Sequence, residues 1–477
     1  MKHKVLIMKC DDYDPRRIAD IVKEGMEELG VAPKGKTMLK PNCVLAHKEL
    51  FPHAFTREEF LEGVLMAMKE KGDAIQELSV GERSGITIPT RYCFKKAGYL
   101  EVLKRHRVKP YYFDEVKQVP VALTRKENLR DLIYVPKPVA ECDFLVNIPK
   151  FKAHPWTRLT LSLKNYIGIQ DDRHRLLDHN AYLEHKIADL QDAKPSSFIA
   201  VDGIIAGQKM MLTPTPFPMG AIVMGTNACA VDTVCCHMVR TNPADVAHLR
   251  YAAERGLGPM DLGDIDVAGD FPLDAVREKT VGFEFCFERI DDYFRESRGI
   301  ECNVGTFPEK HSPDYCWGGC PGALQEAMHI YKQFIPDIDQ HMGRLRFVMG
   351  QVEGPLNLAD DERVVFVGDC CKWKGNINGN TVTISGDYQD PLTLHARKTK
   401  GNDMILKILG SVLHCLANRS SRHIHAKGCP VSVGQHVNYI SAFARVPNLN
   451  FDRRQVVGVN IAYWQMRFNR LLSRLFG

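Results

Sequence analysis

The most constraining feature of this chain is a repeated pairing of short apolar runs with segments of helical period. Val5–Met8 is apolar and is followed by Asp11-Asp12. Arg16–Gly30 then sets Ile18, Ile21, Val22, Met26 and Leu29 at helical spacing, with Gly30 as a stop. Thr37–Lys40 runs into Pro41-Asn42. Glu58–Gly72 carries Phe60, Val64, Leu65 and Met68 on one helical face, and Glu77–Val80 runs into a Gly-flanked loop, Gly81–Gly85. Phe144–Ile148 ends in Pro149-Lys150, Phe198–Val201 in Asp202-Gly203, and Ala221–Met224 in Gly225. Strands alternating with helices predict an α/β domain with a mostly parallel sheet. Ligands of such sheets bind beyond the carboxyl ends of the strands.

The alternation stops near Asp270-Phe271-Pro272, and from about residue 280 the chain is richer in Cys, Gly, His and Trp. Asp361–Gly368 reads as one more buried strand, running into Asp369-Cys370-Cys371. Asn378–Ser385 reads as a hairpin around Asn378-Gly379. The expected division is an α/β domain over 1–275 and a cysteine-rich α/β or α+β domain over 276–477. The last segment, Asn460–Phe476, places Ile461, Trp464, Phe468, Leu471, Leu472 and Leu475 on one side of a helix, with Arg467, Arg470 and Arg474 adding charge. Docking of that side on the protein's own core is expected, although a basic amphipathic helix also suits a membrane surface.

Composition narrows the function classes. The 63 Lys and Arg against 58 Asp and Glu leave a formal charge of only +5, which makes no case for a dedicated nucleic-acid binder. The apolar run near the N-terminus is too short for a signal-peptide core, and no stretch of about 18 apolar residues marks a membrane span. The expectation is a cytoplasmic protein whose thiols stay reduced. Its fifteen cysteines then need a reading other than disulfides.

The cysteines fall into two populations. Most sit in apolar runs, as buried structural thiols do. Cys302, Cys316, Cys320, Cys370, Cys371 and Cys429 sit instead beside Gly, Pro, Asp and Lys. Tyr315-Cys316-Trp-Gly-Gly-Cys320-Pro-Gly322 is the densest, followed by Gly368-Asp-Cys370-Cys371-Lys372 and, after His423-Ile-His425, by Lys427-Gly428-Cys429-Pro430. Cys316, Cys320, Cys370 and Cys429 supply the four thiolates of a 4Fe–4S cluster, with Cys302 and Cys371 as spare candidates. Structural zinc is the alternative, although its usual signature is two close cysteine pairs. A thiol–disulfide centre at Cys370-Cys371 is a third reading. The order of a close pair, a later Gly-x-Cys and a distant Gly-Cys-Pro resembles the cluster-binding cysteines of the small subunit of nickel–iron hydrogenases.

In the N-terminal part, Lys150, Lys152, His154 and Lys164 are expected on loops after strands. With Lys40 they form a candidate cationic pocket for a carboxylate or phosphate. Asn42 and Asn165 would add directed hydrogen bonds, and Asp202 or Asp232 would orient lysines or act as a base. Arg173-His174-Arg175 reads as a basic surface cluster. Four segments carry a family resemblance: Leu39-Lys-Pro-Asn-Cys43, Asp143-Phe-Leu-Val-Asn-Ile-Pro-Lys-Phe-Lys-Ala-His154, Leu163-Lys-Asn-Tyr-Ile-Gly168 and Val201-Asp-Gly203. Ala230–Thr233 and His248–Gly258 also fit. In that order the chain resembles the domain-of-unknown-function 362 family over roughly 35–270. The family implies no reaction, but some of its members carry added iron–sulfur segments.

Three functions follow as expectations. One is a redox-linked enzyme or electron-transfer protein, an oxidoreductase in the first case, acting on a small anionic ligand and meeting a redox partner protein. The second is a non-redox, isomerase-type enzyme with a structural metal site. The third is a protein that binds or assembles metal clusters. No G-x-x-x-x-G-K-[ST], no G-x-G-x-x-G after a strand, no C-x-x-C-H and no H-E-x-x-H occurs.

Overall fold

Phe144–Ile148 and Ala221–Gly225 are buried at every position, as strands covered on both faces must be. They lie at the middle of a large sheet in a computed structural model. The structure describes residues 2–85, 88–171, 175, 177–180, 182–308, 315–393 and 404–476. It divides into two compact units. The first is Met1–Asp171 with Glu184–Cys286 and Gly458–Gly477, and the second is Asp172–Leu183 with Phe287–Val457. The sequence reading placed one cut at 275. The units divide after Cys286, and the last helix counts with the first unit from Gly458 onward.

The strands of the first unit are β1 (His3–Lys9), β2 (Lys34–Pro41), β3 (Ala74–Glu82), β4 (Lys109–Tyr112), β5 (Gln118–Ala122), β6 (Leu132–Pro136), β7 (Phe144–Ile148), β8 (Lys150–His154), β9 (Arg158–Leu159), β10 (Phe198–Gln208), β11 (Thr215–Phe217), β12 (Ala221–Gly225) and β13 (Ile265–Ala268). The main sheet runs β13-β1-β12-β10-β7-β2-β3-β4. Within this path only β12 is antiparallel, to both β1 and β10, so the expected mostly parallel α/β sheet is the observed one. The helices Pro15–Glu28 and Glu58–Glu70 lie where their apolar periods predict, and Asp14 caps the first by accepting from Arg16 N–H. Phe60, Leu61, Val64 and Leu65 join Leu6, Leu39, Val146 and Met224 in one core.

Two strands correct the sequence reading. Lys150–His154 was expected as a loop and is β8, buried at every residue and running parallel to β10. Val201 was expected to end its strand, but β10 continues through Asp202 to Gln208.

The second unit contains β14 (Ile300–Val304), β15 (Leu345–Gln351), β16 (Arg363–Ile377), β17 (Asn380–Ile384) and β18 (His423–Ala426). Its sheet runs β14-β15-β16-β17, with β18 also paired to β16. β14, β15, β16 and β18 are parallel. β17 returns antiparallel on the far half of β16 through Asn378-Gly379, both at positive φ as a two-residue type I′ hairpin turn requires. The helices Cys320–Phe334 and Val433–Ala444 pack with this sheet around Leu324, Met328, Phe347 and Ile440.

Candidate functional site

The second unit draws four of the turn-flanked cysteines to one place. Cys316 and Cys320 sit on the turn and first residue of the helix Cys320–Phe334, Cys370 on β16 where the chain passes Gly368, and Cys429 just after β18. All four line one narrow crevice, with Gly319, Gly428 and Asn180. Its walls are backbone because side chains would not fit. A Cβ at Gly319 would lie 2.5 Å from Cys316 Sγ, and one at Gly368 would lie 3.3 Å from Cys320 Sγ and 3.6 Å from Cys370 Sγ. Gly368 is at φ +93, which a side chain would strain as well. Asp369 and Gly428 clamp the two loops together: Asp369 N–H donates to Gly428 O at 3.1 Å, and Gly428 N–H to Asp369 Oδ1 at 2.7 Å.

The sulfurs themselves are held as acceptors. Val431 N–H donates to Cys320 Sγ at 3.2 Å, and Asn180 Nδ2 to Cys429 Sγ at 3.5 Å. Burial, then the neighbouring Cys429 and Cys371, pushes the Cys370 thiol up to about 12. Burial pushes Cys429 up to about 11. Four thiolates would not stand together here without cationic charge among them, and metal binding supplies that charge. The donor set and the glycine cradle therefore fit a metal centre. Among the described residues, no group of three or more His, Cys, Asp and Glu is placed to hold a metal ion.

The spare candidates lie elsewhere. Successive residues of a strand face opposite sides. Cys371 therefore turns away from Cys370 into a core of Val348, Phe366 and Trp373, where its thiol donates to Val348 O at 3.4 Å. Cys302 lies on β14, not on a turn, half-buried against the core on the other side of that sheet. Of the Arg173-His174-Arg175 cluster, Arg173 and His174 lie outside the described residues, and Arg175 is buried rather than on the surface.

In the first unit the predicted cations are at the carboxyl ends of the parallel strands, but most are interior. Lys40 ends β2 with no exposed surface and pairs with Glu82, at the end of β3, at 2.5 Å. The backbone of Gly168 closes over the pair, since a methyl there would overlap the Glu82 carboxylate. Asn42 Nδ2 donates to Asn165 Oδ1 at 3.2 Å, and Asn165 Nδ2 to Asn147 Oδ1 at 2.8 Å. Lys150 pairs with Asp202 at 2.9 Å, both wholly buried. Lys152 donates to the carbonyls of Ala54 and Met211 at 2.6 and 2.8 Å. His154 Nδ1 accepts from Trp156 N–H at 3.0 Å, and Lys164 is half-buried on the short helix Leu161–Asn165. Asp232 caps that helix by accepting from Ser162 and Leu163 N–H at 2.8 and 2.9 Å.

Three residues of this edge were missed in the sequence. Tyr13 donates to Asp202 Oδ1 at 2.8 Å and accepts from Lys150 at 2.9 Å. The Arg57 guanidinium stacks 4.5 Å over the Tyr13 ring, and Arg57 N–H donates to Asp202 Oδ2 at 3.2 Å. His53 is beside them, its Nδ1 buried with no hydrogen-bond partner. Burial, then the charges of Lys150 and Arg57, lowers its pKa to about 4. All three lie in loops with no apolar period to flag them, and their only signal is position just after β1 and β2. His53 also sets a pH dependence. It stays neutral in the fold at pH values where the unfolded chain takes a proton. Stability should therefore be full above about 6.5 and fall as the pH drops towards 4. Urea midpoints across that window should show the decline, and His53→Gln should lessen it.

Residues 37–237 match the domain of unknown function 362 (DUF362) family model. The matched stretch holds Lys40, Asn42, Lys150, Asn165 and Asp202, and the four crevice cysteines lie outside it. A thylakoid-associated protein of Synechocystis sp. is 21% identical over 297 residues, which is 59% of this chain and 87% of the relative. Among solved structures, the lactate racemase apoprotein of Thermoanaerobacterium thermosaccharolyticum aligns with a TM-score of 0.33 at 11% identity, over 49% of this chain and 56% of that one.

Proposed function

We propose that the second unit binds a 4Fe–4S cluster through Cys316, Cys320, Cys370 and Cys429, and that the protein is a redox-linked enzyme or electron-transfer protein of the cytoplasm. The observation that carries this reading is that four thiols, scattered over more than a hundred residues, line one glycine-walled crevice. A cluster presents its cysteine ligands on four separate irons, whereas one zinc ion draws all four sulfurs to about 2.3 Å from a single point. Cys320 at the start of a 15-residue helix adds the positive end of the helix dipole, which suits a site of net negative charge. Bound there, the cluster would supply one-electron transfer. The chain's own part is to hold the sulfurs, donate Val431 N–H and Asn180 Nδ2 to them, and limit water through Phe307, Met349 and Val367.

The substrate side of the proposal is a small anionic ligand at the carboxyl edge of the first unit. Arg57, His53 and the Lys150–Asp202 pair support it. The test is iron and acid-labile sulfide in full-length protein purified without oxygen, with its visible absorption before and after dithionite. The expected result is about four irons per chain, bleaching on reduction, and loss of most iron in Cys320→Ser. Zinc without iron would overturn the redox reading and favour the isomerase-type enzyme with a structural site. Iron that passes readily to an acceptor apoprotein would favour the assembly role.

A further inference from the structure

The C-terminal helix Arg453–Phe476 turns the expected side outward. Ala462, Tyr463 and Met466 are its buried residues. Asn469 donates to Glu115 at 2.7 Å, and Arg470 Nε to Asp114 O at 2.8 Å. At about 100° per residue these define one face. The opposite face carries the residues that the sequence reading assigned to the core. Ile461 is 57% exposed, Trp464 68%, Phe468 60%, Leu471 53%, Leu472 37% and Leu475 64%. They fall within an arc of roughly 100°, the width of a buried stripe on an ordinary amphipathic helix. A contiguous apolar stripe left in water marks a contact surface.

The charge on the helix selects the occupant. Arg453–Phe476 contains five arginines and no Asp or Glu. Arg467 and Arg474, both exposed, follow the stripe along one flank. A second copy of this helix would bring arginines against arginines, with no acid on either side to offset them. An anionic lipid surface meets both requirements, with acyl chains for the apolar stripe and negative headgroups for the flanking arginines. Trp464, central in the stripe, suits the depth where headgroups meet hydrocarbon. No helix among the described residues is long and apolar enough to cross a membrane. We infer that the protein docks peripherally on anionic membranes through the outer face of its C-terminal helix.

The experiment is sedimentation of the full-length protein with phosphatidylcholine vesicles, with and without phosphatidylglycerol. The protein should pellet with the anionic vesicles at low salt, stay in solution with the neutral ones, and come off as salt is raised. Arg474→Gln should weaken partition about fivefold, the share of one basic residue near such a surface. Phe468→Asp should abolish partition while leaving circular dichroism unchanged, because that ring touches no core. Folded protein that ignores anionic vesicles would overturn the inference. So would a Phe468→Asp variant that binds like the parent, or a dimer in sedimentation velocity that Phe468→Asp dissociates.

Discussion

Replacing Glu82 by glutamine is expected to destabilise the first unit by about 3–5 kcal/mol, a large share of the stability of an ordinary domain. Glu82 and Lys40 face each other at 2.5 Å with 3% and 0% of their side chains exposed. Desolvating both charges is costly, and their contact offsets that cost only while both are present. The amide would keep a hydrogen bond but leave the ammonium without its carboxylate. Gly168 closes the space above them, so neither side chain has room to swing towards water. Replacing both residues by apolar ones of similar volume, Lys40→Met with Glu82→Leu, should restore much of the loss. Urea unfolding of the two single variants and the double measures this directly. A Glu82→Gln cost below about 1 kcal/mol would mean that the pair is solvated in solution.

The second large effect separates adjacent cysteines. Cys370→Ser should remove most of the bound iron, and Cys371→Ser should leave the iron in place. The two residues are neighbours on β16 and so project to opposite sides of the sheet, one into the crevice and the other onto Val348, Phe366 and Trp373. Serine at 371 exchanges a buried thiol for a hydroxyl that Val348 O can still accept from, at a cost of about 1 kcal/mol. Serine at 370 would remove a proposed ligand, and binding energy that is coupled to folding would go with it. Iron content and thermal unfolding of the two variants, prepared side by side, give the comparison. Equal iron loss in both would refute the proposed ligand set.

The strands were legible because a parallel strand buried on both faces is written as an uninterrupted apolar run. Phe144–Ile148 has the same bounds in sequence and structure, and Asn378-Gly379 announces its hairpin by residue type alone. What could not be read was partnership. Lys40 and Lys150 look like surface charges until Glu82 and Asp202, each supplied from another strand, lie beside them. Lys150, Lys152 and His154 looked like a loop because three polar residues interrupt the apolar texture, yet the strand persists with both lysine ammonium groups hydrogen-bonded inside. That these four cysteines would line one crevice was suggested by their glycine and proline neighbours. That Cys371 turns away follows from strand alternation, and that Cys302 is outside the crevice lining follows from its place on β14, neither of which residue neighbours reveal. The last helix was read with its faces exchanged, because period alone locates an apolar stripe without saying what covers it.

The helix that completes the first unit is made well after the rest of that unit. Phe287–Val457 belongs to the second unit and must be synthesised before Gly458–Gly477 can return to the first. At roughly 5–20 residues per second, a ribosome spends on the order of ten to thirty seconds on that stretch. Throughout that delay the sheet is already made, while the ground around Asp114 and Glu115 that will hold Asn469 and Arg470 stands bare. Whatever meets the nascent chain in that interval, a chaperone or another unfinished copy, finds a vacant berth that the mature protein no longer offers.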